Sequence, residues 1–463
     1  MDKQIIKDHD AVREWFRTHD VTVCAADTET TSLNYLELDM IGASFCNGQA
    51  ACYIVTGEKD DNPESMDREL ILEAIREGMS KIKGLILHCA NFDLKVFHKE
   101  GICPEHVKLF DTQVAAHLID ENAPYGLKYQ AKLRLNACTI SYEQAIESGP
   151  SSRQFYEYAI NDAIWTYQLY KLFKPMLEEQ DFHDLFYYIE MPFQWSLMDI
   201  HINGVMVDKK RLRELDDEVV EKRNRWMKDI ITEAGREYIV QKTFFGEEIS
   251  SGLNINSTEQ MIKVFEEKGI EITETTESGA PSLGKETINR LKGDYPFVFK
   301  YYQYKILEKM LSGFIKPAYS RIDEDGRVRP SFNNNGTVTG RLSCKEPNLQ
   351  QLAKENPDMP IPFRDIFVAS PGYKMIVADY SGQELRGCAS VTGDETMLEA
   401  LMENKDLHLT TANKIFELGI PDEELYEANP KHKEHKKKYS YERHVGKNGV
   451  NFPILYGRTA YGI

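Results

Sequence analysis

The sequence predicts a multidomain protein built from α/β and α+β regions. Its 463 residues are enough for two or three domains, each with its own core. Short apolar runs end in acidic residues and pass into helical spacing, as at Val21–Ala26 before Asp27 and Leu85–His88 before Cys89–Phe97. Such runs are strands leaving a sheet. Long charged amphipathic stretches in the middle, such as Lys209 to about Ala234, read as helices.

Composition bounds the function. The formal charge of −18 argues mildly against wholesale nucleic-acid binding, since phosphate neutralisation needs local Lys and Arg. One basic concentration exists at Lys431, Lys433, Lys436, Lys437 and Lys438, and charge runs of this kind are usually solvated faces. The eight cysteines (Cys24, Cys46, Cys52, Cys89, Cys103, Cys138, Cys344 and Cys388) lack CxxC spacing and read as reduced core thiols. No apolar run reaches membrane-spanning length and no secretory signal opens the chain, so a cytoplasmic location is expected.

The first region, residues 1–190, opens on an amphipathic helix. Val21–Ala26 then leads into Asp27-Thr28-Glu29-Thr30. Residues two apart in an extended chain share a face, so Asp27 and Glu29 point the same way. Two adjacent carboxylates repel unless a cation sits between them, which makes a divalent metal the natural third party. A lone DxE is nonetheless common. Asp93 follows a second strand at a strand-to-helix junction. From Phe155 to Leu172 the spacing is helical, which puts Tyr158 and Asp162 on one face.

Residues 191–330 show no chemistry. Glu190-Met191-Pro192 starts a helix that runs to a glycine turn at Gly204. Ser257 is the expected N-cap of a helix, with Gln260 three residues on. A loop at Thr275 to Ser282 precedes a long helix from Asp294 to Tyr319.

Residues 331–463 hold three dense motifs: Thr339-Gly340-Arg341-Leu342-Ser343-Cys344 with Pro347-Asn348-Leu349-Gln350-Gln351, Met375–Arg386, and Asp406–Phe416 followed by Arg443–Tyr456. Met375–Ala378 reads as a buried strand that presents Asp379 at its exit. Lys447 stands five residues before Phe452, and Pro453 would crowd the carbonyl of Gly449 in a regular helix. A bulge at Gly449 to Pro453 is therefore expected.

Taken together, these motifs resemble the family A (DNA polymerase I-like) DNA polymerases, phage type, and the resemblance covers nearly the whole chain. It implies a ribonuclease-H-like 3′-5′ exonuclease domain (1–190), a helical thumb with connecting helices (191–330), the first part of a palm (331–404) and the first part of the fingers (405–463) of a right-hand polymerase. In the exonuclease domain, Asp27, Glu29, Asp93 and Asp162 would hold two Mg²⁺ or Mn²⁺ ions about 3.5 to 4 Å apart, and Tyr158 would orient the attacking water. Phe110-Asp111-Thr112 fits the same domain. Cys89 departs from the pattern, in a slot that is usually asparagine.

In the polymerase part, the resemblance makes Asp379 the metal-binding catalytic carboxylate, with two ions and a dNTP as substrate. Glu384, His408, Arg443, Lys447, Phe452 and Tyr456 would hold the nucleotide. Arg341, Asn348, Gln350 and Gln351 would contact primer-template DNA in its minor groove, whose acceptors are common to correct pairs. The family's spacing from lysine to aromatic is four, against five here. No later His-Asp-Glu motif follows Tyr456, so the second catalytic aspartate is expected from a second polypeptide, as in a split polymerase, or was lost by truncation. Two alternatives stand beside this reading: a metal-dependent exonuclease on single-stranded DNA with an inactive polymerase part, and a non-enzymatic primer-template clamp.

Overall fold

The computed structural model describes residues 1–57, 68–102, 104–243, 246–275, 279–352 and 361–459. The chain divides into two compact units, Met1–Tyr373 and Lys374–Ile463.

The first unit is led by a six-stranded mixed sheet. Its elements in order are β1 (Asp2–Ile6), α1 (His9–Thr18), β2 (Val23–Thr30), β3 (Met40–Cys46), β4 (Ala50–Val55), α2 (Arg68–Met79), β5 (Gly84–Leu87), α3 (Ala90–Lys99), β6 (Lys108–Asp111), α4 (Thr112–Ile119), α5 (Leu127–Leu135), α6 (Tyr142–Ile146) and α7 (Arg153–Glu179). The strand order is β1-β4-β3-β2-β5-β6. β3 runs antiparallel to both neighbours, while β5 and β6 continue parallel to β2.

Both faces of the sheet are covered, which is why β3 and β4 are almost wholly buried and do not alternate. On one face Trp15 and Phe16 of α1 meet Phe45. On the other, α7 crosses β2, β3 and β4, with Phe155 and Tyr156 against Tyr53. Tyr53 lies across β3 because position 42 is glycine; a Cβ there would fall 2.1 Å from the tyrosine hydroxyl. β1 precedes the expected opening helix. Its first four residues are exposed, so no apolar pattern announces it, and it is held by parallel pairing with β4.

The first unit continues through α8 (Met191–Asn203), β7 (Val205–Val207), α9 (Lys209–Glu233), a hairpin of β8 (Tyr238–Thr243) and β9 (Gly246–Ser251), α10 (Thr258–Glu267), α11 (Lys285–Leu291), α12 (Pro296–Met310) and α13 (Lys316–Tyr319). Asp208 caps α9 by accepting from Lys210 and Arg211 backbone N–H groups. Ser257 caps α10 as expected, but the Gln260 side chain accepts from Asn254 N–H and not from the cap residue. The expected loop at Thr275 to Ser282 lies partly outside the described residues. Short strands complete the unit: β10 (Arg327–Val328) and β13 (Phe367–Val368) flank β7, and β11 (Ser331–Asn333) pairs with β12 (Ser343–Lys345).

The second unit is helical among the described residues: α14 (Gln383–Thr392), α15 (Glu395–Met402), α16 (Leu407–Phe416), α17 (His432–Lys438), α18 (Ser440–Val445) and α19 (Phe452–Leu455). The buried strand expected at Met375–Ala378 is not formed. That run has no regular structure, and Ile376 and Val377 are each 88% exposed. A strand needs a ladder partner for its backbone groups, and no strand occurs among the described residues of this unit.

Three π-helical turns interrupt helices, at Leu185–Glu190, Leu311–Ile315 and Gly446–Asn451. Each ends two residues before a proline: Pro192, Pro317 and Pro453. A proline cannot bond the carbonyl four residues back and collides with it, and in all three cases that carbonyl falls inside the wider turn. No described helix is long and apolar enough to cross a membrane.

Candidate functional site

The sequence-predicted residues fall into three groups. In the first unit, β2 places Asp27 and Glu29 on the face covered by α7, and α7 brings Asp162 to them. One ligand oxygen from each of these three lies within 4.8 Å of the other two. Tyr158 stands one turn before Asp162, its ring stacked on Phe155 and edge-on to Tyr142. Asp93 is close but is not one of the three. It is buried and accepts from the Thr28 N–H at 3.0 Å and the Thr28 hydroxyl at 2.7 Å, which satisfy a carboxylate that has left water.

The electrostatics are those of crowded acids. Burial, then Asp93, Asp162 and Glu29, push the Asp27 carboxyl well above the carboxylate range. Burial and Asp162 push Glu29 up to about 8. Asp93 rises to about 7 through burial, against the Thr28 hydrogen bonds. Asp162 is raised by burial although Lys128 opposes the shift. Acids that resist ionising together, with oxygens this close, are a donor set suited to a hard divalent cation.

Lys128, which sequence reasoning missed, pairs with Asp162. It lies on α5, outside the three acidic motifs, and no spacing pointed to it. Asp111 is structural: it accepts from the backbone N–H groups of Cys89 and Ala90 at the start of α3 and of Gln113 in α4. Cys89 takes a left-handed conformation, with φ of 69°. Asparagine tolerates that region better than cysteine does, which gives the usual residue of this slot a physical reason.

The second group is the loop from Thr339 to Gln351, also in the first unit. Asn348 caps a 3-10 turn at Leu349–Gln351 by accepting from the Gln350 N–H at 3.1 Å. The Gln350 side chain donates to Leu342 O at 3.0 Å. Both side chains thus brace the loop, while Arg341 and Gln351 are exposed. His117 and Gln113 of α4 bond to Thr337 O and Asn335, and tie the loop's approach to the sheet region.

The third group lies in the second unit. Asp379 is exposed in the irregular run before α14. Glu384, in the first turn of α14, accepts from the Tyr456 hydroxyl at 3.0 Å. Asp406 caps α16 and is nearly buried; its other oxygen accepts from Arg443 Nε at 2.8 Å and His432 Nε2 at 3.1 Å. His408 meets the Asn451 amide at 2.9 Å and the edge of Phe452, and Lys447 lies over the Phe452 ring at 5.1 Å. Burial, then Arg443, lower His408 to about 4, so its ring is neutral and Nδ1 accepts. The expected bulge is the π turn Gly446–Asn451, which takes up the extra residue and keeps Lys447 and Phe452 in contact. His432 and Asn451 carry no motif, and nothing in the sequence singles them out.

A sheet domain with clustered carboxylates, followed by a helical region and a helical unit with paired basic residues, defines a multidomain protein whose first domain carries a donor set suited to a divalent cation. Residues 3–178 match the 3′-5′ exonuclease family and residues 209–463 match DNA polymerase family A. The chain belongs to DNA polymerase family A. It is 29% identical to the DNA polymerase I of Chloroflexus aurantiacus over 99% of this chain and 47% of that protein. With the DNA polymerase I of Pseudomonas aeruginosa it shares 26% identity over 100% of this chain and 49% of that protein. The chain thus spans about half the length of these relatives. A solved structure, the POL domain of Pol1 from M. smegmatis in complex with DNA primer-template and dNTP, superposes with a TM-score of 0.76 at 21% identity, covering 99% of this chain and 72% of that one.

Proposed function

We propose that this chain removes nucleotides from DNA 3′ ends with a divalent metal, and that its second unit belongs to a DNA-directed DNA polymerase whose proofreading this nuclease performs. The observation that carries the reading is the convergence of Asp27, Glu29 and Asp162 within 4.8 Å. With Asp93 beside them, these residues would hold the ions, Mg²⁺ or Mn²⁺. A divalent ion bound there supplies charge neutralisation for the phosphodiester and makes water a better nucleophile. Tyr158, whose hydroxyl is kept protonated by burial and by Asp162, orients the water.

On the polymerase side, Arg443 and Lys447 neutralise the triphosphate of the incoming dNTP, with His408 and Phe452 beside them. Glu384, held by Tyr456, crowds the sugar 2′ position and excludes ribonucleotides. Asp379 contributes one metal-binding carboxylate, and the second comes from polypeptide outside this sequence, either a separate chain, as in a split phage-type polymerase, or a continuation of this one. Arg341, Asn348, Gln350 and Gln351 face the minor groove of primer-template DNA. The braced loop supports this, because fixed side chains can test pair shape without reading sequence.

The test is hydrolysis of 3′-labelled single-stranded DNA in Mg²⁺ or Mn²⁺ and primer extension by the chain alone and with its complementing polypeptide. Nuclease activity that vanishes in Asp27→Ala, with extension only on complementation, is expected. A second reading, an exonuclease that acts without synthesis, is favoured by one contrast: the nuclease acids are gathered, whereas Asp379 is exposed. Extension on complementation would dismiss it.

A further inference from the structure

Lys128 is the cation of the nuclease carboxylates. Its ammonium pairs with Asp162, and the lysine side chain is 28% exposed against 7% for the aspartate. The same nitrogen lies 3.8 Å from the centroid of the Tyr158 ring and 4.9 Å from that of Trp165. Both rings thus lie against the charge. Three acids this close need a counter-charge, and among the described residues Lys128 is the one paired with them.

A divalent ion seeks the same carboxylate oxygens and repels an ammonium beside them. Lys128 is suited to yield. Its charge is a compact ammonium on a flexible four-carbon stem with three donors, and its partly exposed head has room to turn. Its contact with the Tyr158 ring is separate from its pairing with Asp162.

We propose that Lys128 is an exchangeable counterion of the nuclease: it pairs with Asp162 before the divalent ion binds, and with a non-bridging oxygen of the scissile phosphodiester afterwards. This rests on the nuclease reading above. In the cleavage step the water oxygen bonds to phosphorus, the bond to the 3′ oxygen breaks and that oxygen takes a proton. Lys128 donates a hydrogen bond to the phosphate throughout and keeps its own proton.

The experiment uses the full chain with Lys128→Gln and Lys128→Arg. Mn²⁺ affinity is measured by calorimetry without DNA, and single-turnover cleavage of single-stranded DNA is measured at saturating Mn²⁺. Lys128→Gln is expected to bind Mn²⁺ at least about fivefold more tightly, because a competing charge is gone, and to cleave at least about tenfold more slowly, because a phosphate donor is gone. Lys128→Arg keeps the charge and should restore the weaker affinity and part of the rate; its behaviour decides the matter if the glutamine variant does not fold. Unchanged or weaker Mn²⁺ affinity in Lys128→Gln, or a wild-type rate at saturating metal, overturns the exchange. A wild-type protein that binds Mn²⁺ at these acids but cuts no DNA defeats the nuclease reading and the phosphate half of the exchange, while the titration still decides the competition at Asp162.

Discussion

The two units hold their polar residues in opposite ways. In the first, like charges are forced together by a large core. β2 and α7 are locked by Phe45, Tyr53, Phe155 and Phe173, all nearly inaccessible, so Asp27, Glu29 and Asp162 converge although their charges repel. In the second, the apolar clusters are small, one around Leu385, Ala389 and Leu401 and another around Leu409, Ile420 and Leu425. Position there is set by polar pairs: Asp406 with Arg443 and His432, Asn451 with His408 and Thr411, Glu384 with Tyr456. A site that stores repulsion needs a rigid frame, whereas a site of opposite charges can build much of its own.

The largest test of this contrast is Asp27→Ala. It should lower nuclease activity by roughly 10³-fold, as loss of an essential electrostatic group does, yet leave the fold intact, since it relieves crowding. A variant whose melting temperature in EDTA fell sharply would show that the acids support the frame.

The π turn gives the next test. Deleting Asn448 should restore the family's lysine-to-aromatic spacing, with dNTP binding retained in the complemented polymerase. Deleting Glu442 from α18 instead rotates the downstream residues by about 100° and should abolish dNTP binding. Equal loss in both deletions would mean that the turn is needed for more than its spare residue.

The range of each interaction decides how much of the fold and the site is legible in the sequence. Asp27, Glu29 and the Tyr158–Asp162 pair are legible because strand and helix periods place them, and the bulge is legible because Pro453 has a local steric consequence. Proline alone does not suffice, since Pro175 sits inside α7 without a π turn. β1 is illegible because its exposed polar residues are held by the backbone of β4. Lys128 and Asn451 are illegible because each meets its partner across a gap in sequence, 34 residues to Asp162 and 40 to Thr411, that no period spans. The strand read at Met375–Ala378 fails for a related reason: an apolar run states a preference for burial, and only a partner makes it a strand.

A smaller effect is expected for Asn451→Ala, which strips the Thr411 hydroxyl and the His408 ring of a partly buried partner. The cost should be about 1–3 kcal/mol, seen as a lower denaturation midpoint of the second unit with the nuclease unaffected. A loss of nuclease activity would contradict the independence of the two frames.

The last test concerns pH in the absence of metal. Folded Glu29 titrates at about 8 and Asp93 at about 7, against ordinary values of 4.5 and 3.8. Between the ordinary and the raised values, the folded protein holds protons that the unfolded chain has released. Stability must therefore fall as pH rises from about 4 through 8 and level off above that. In EDTA the melting temperature of the first unit should decline by a few degrees from about pH 5.5 to about pH 8.5, in proportion to its size. Saturating Mn²⁺ should flatten or reverse the slope, because the metal takes the place of the protons and its affinity rises as they leave. An EDTA slope of the opposite sign would mean that the acids are not crowded in the folded state, and the contrast between the two units would lose its basis.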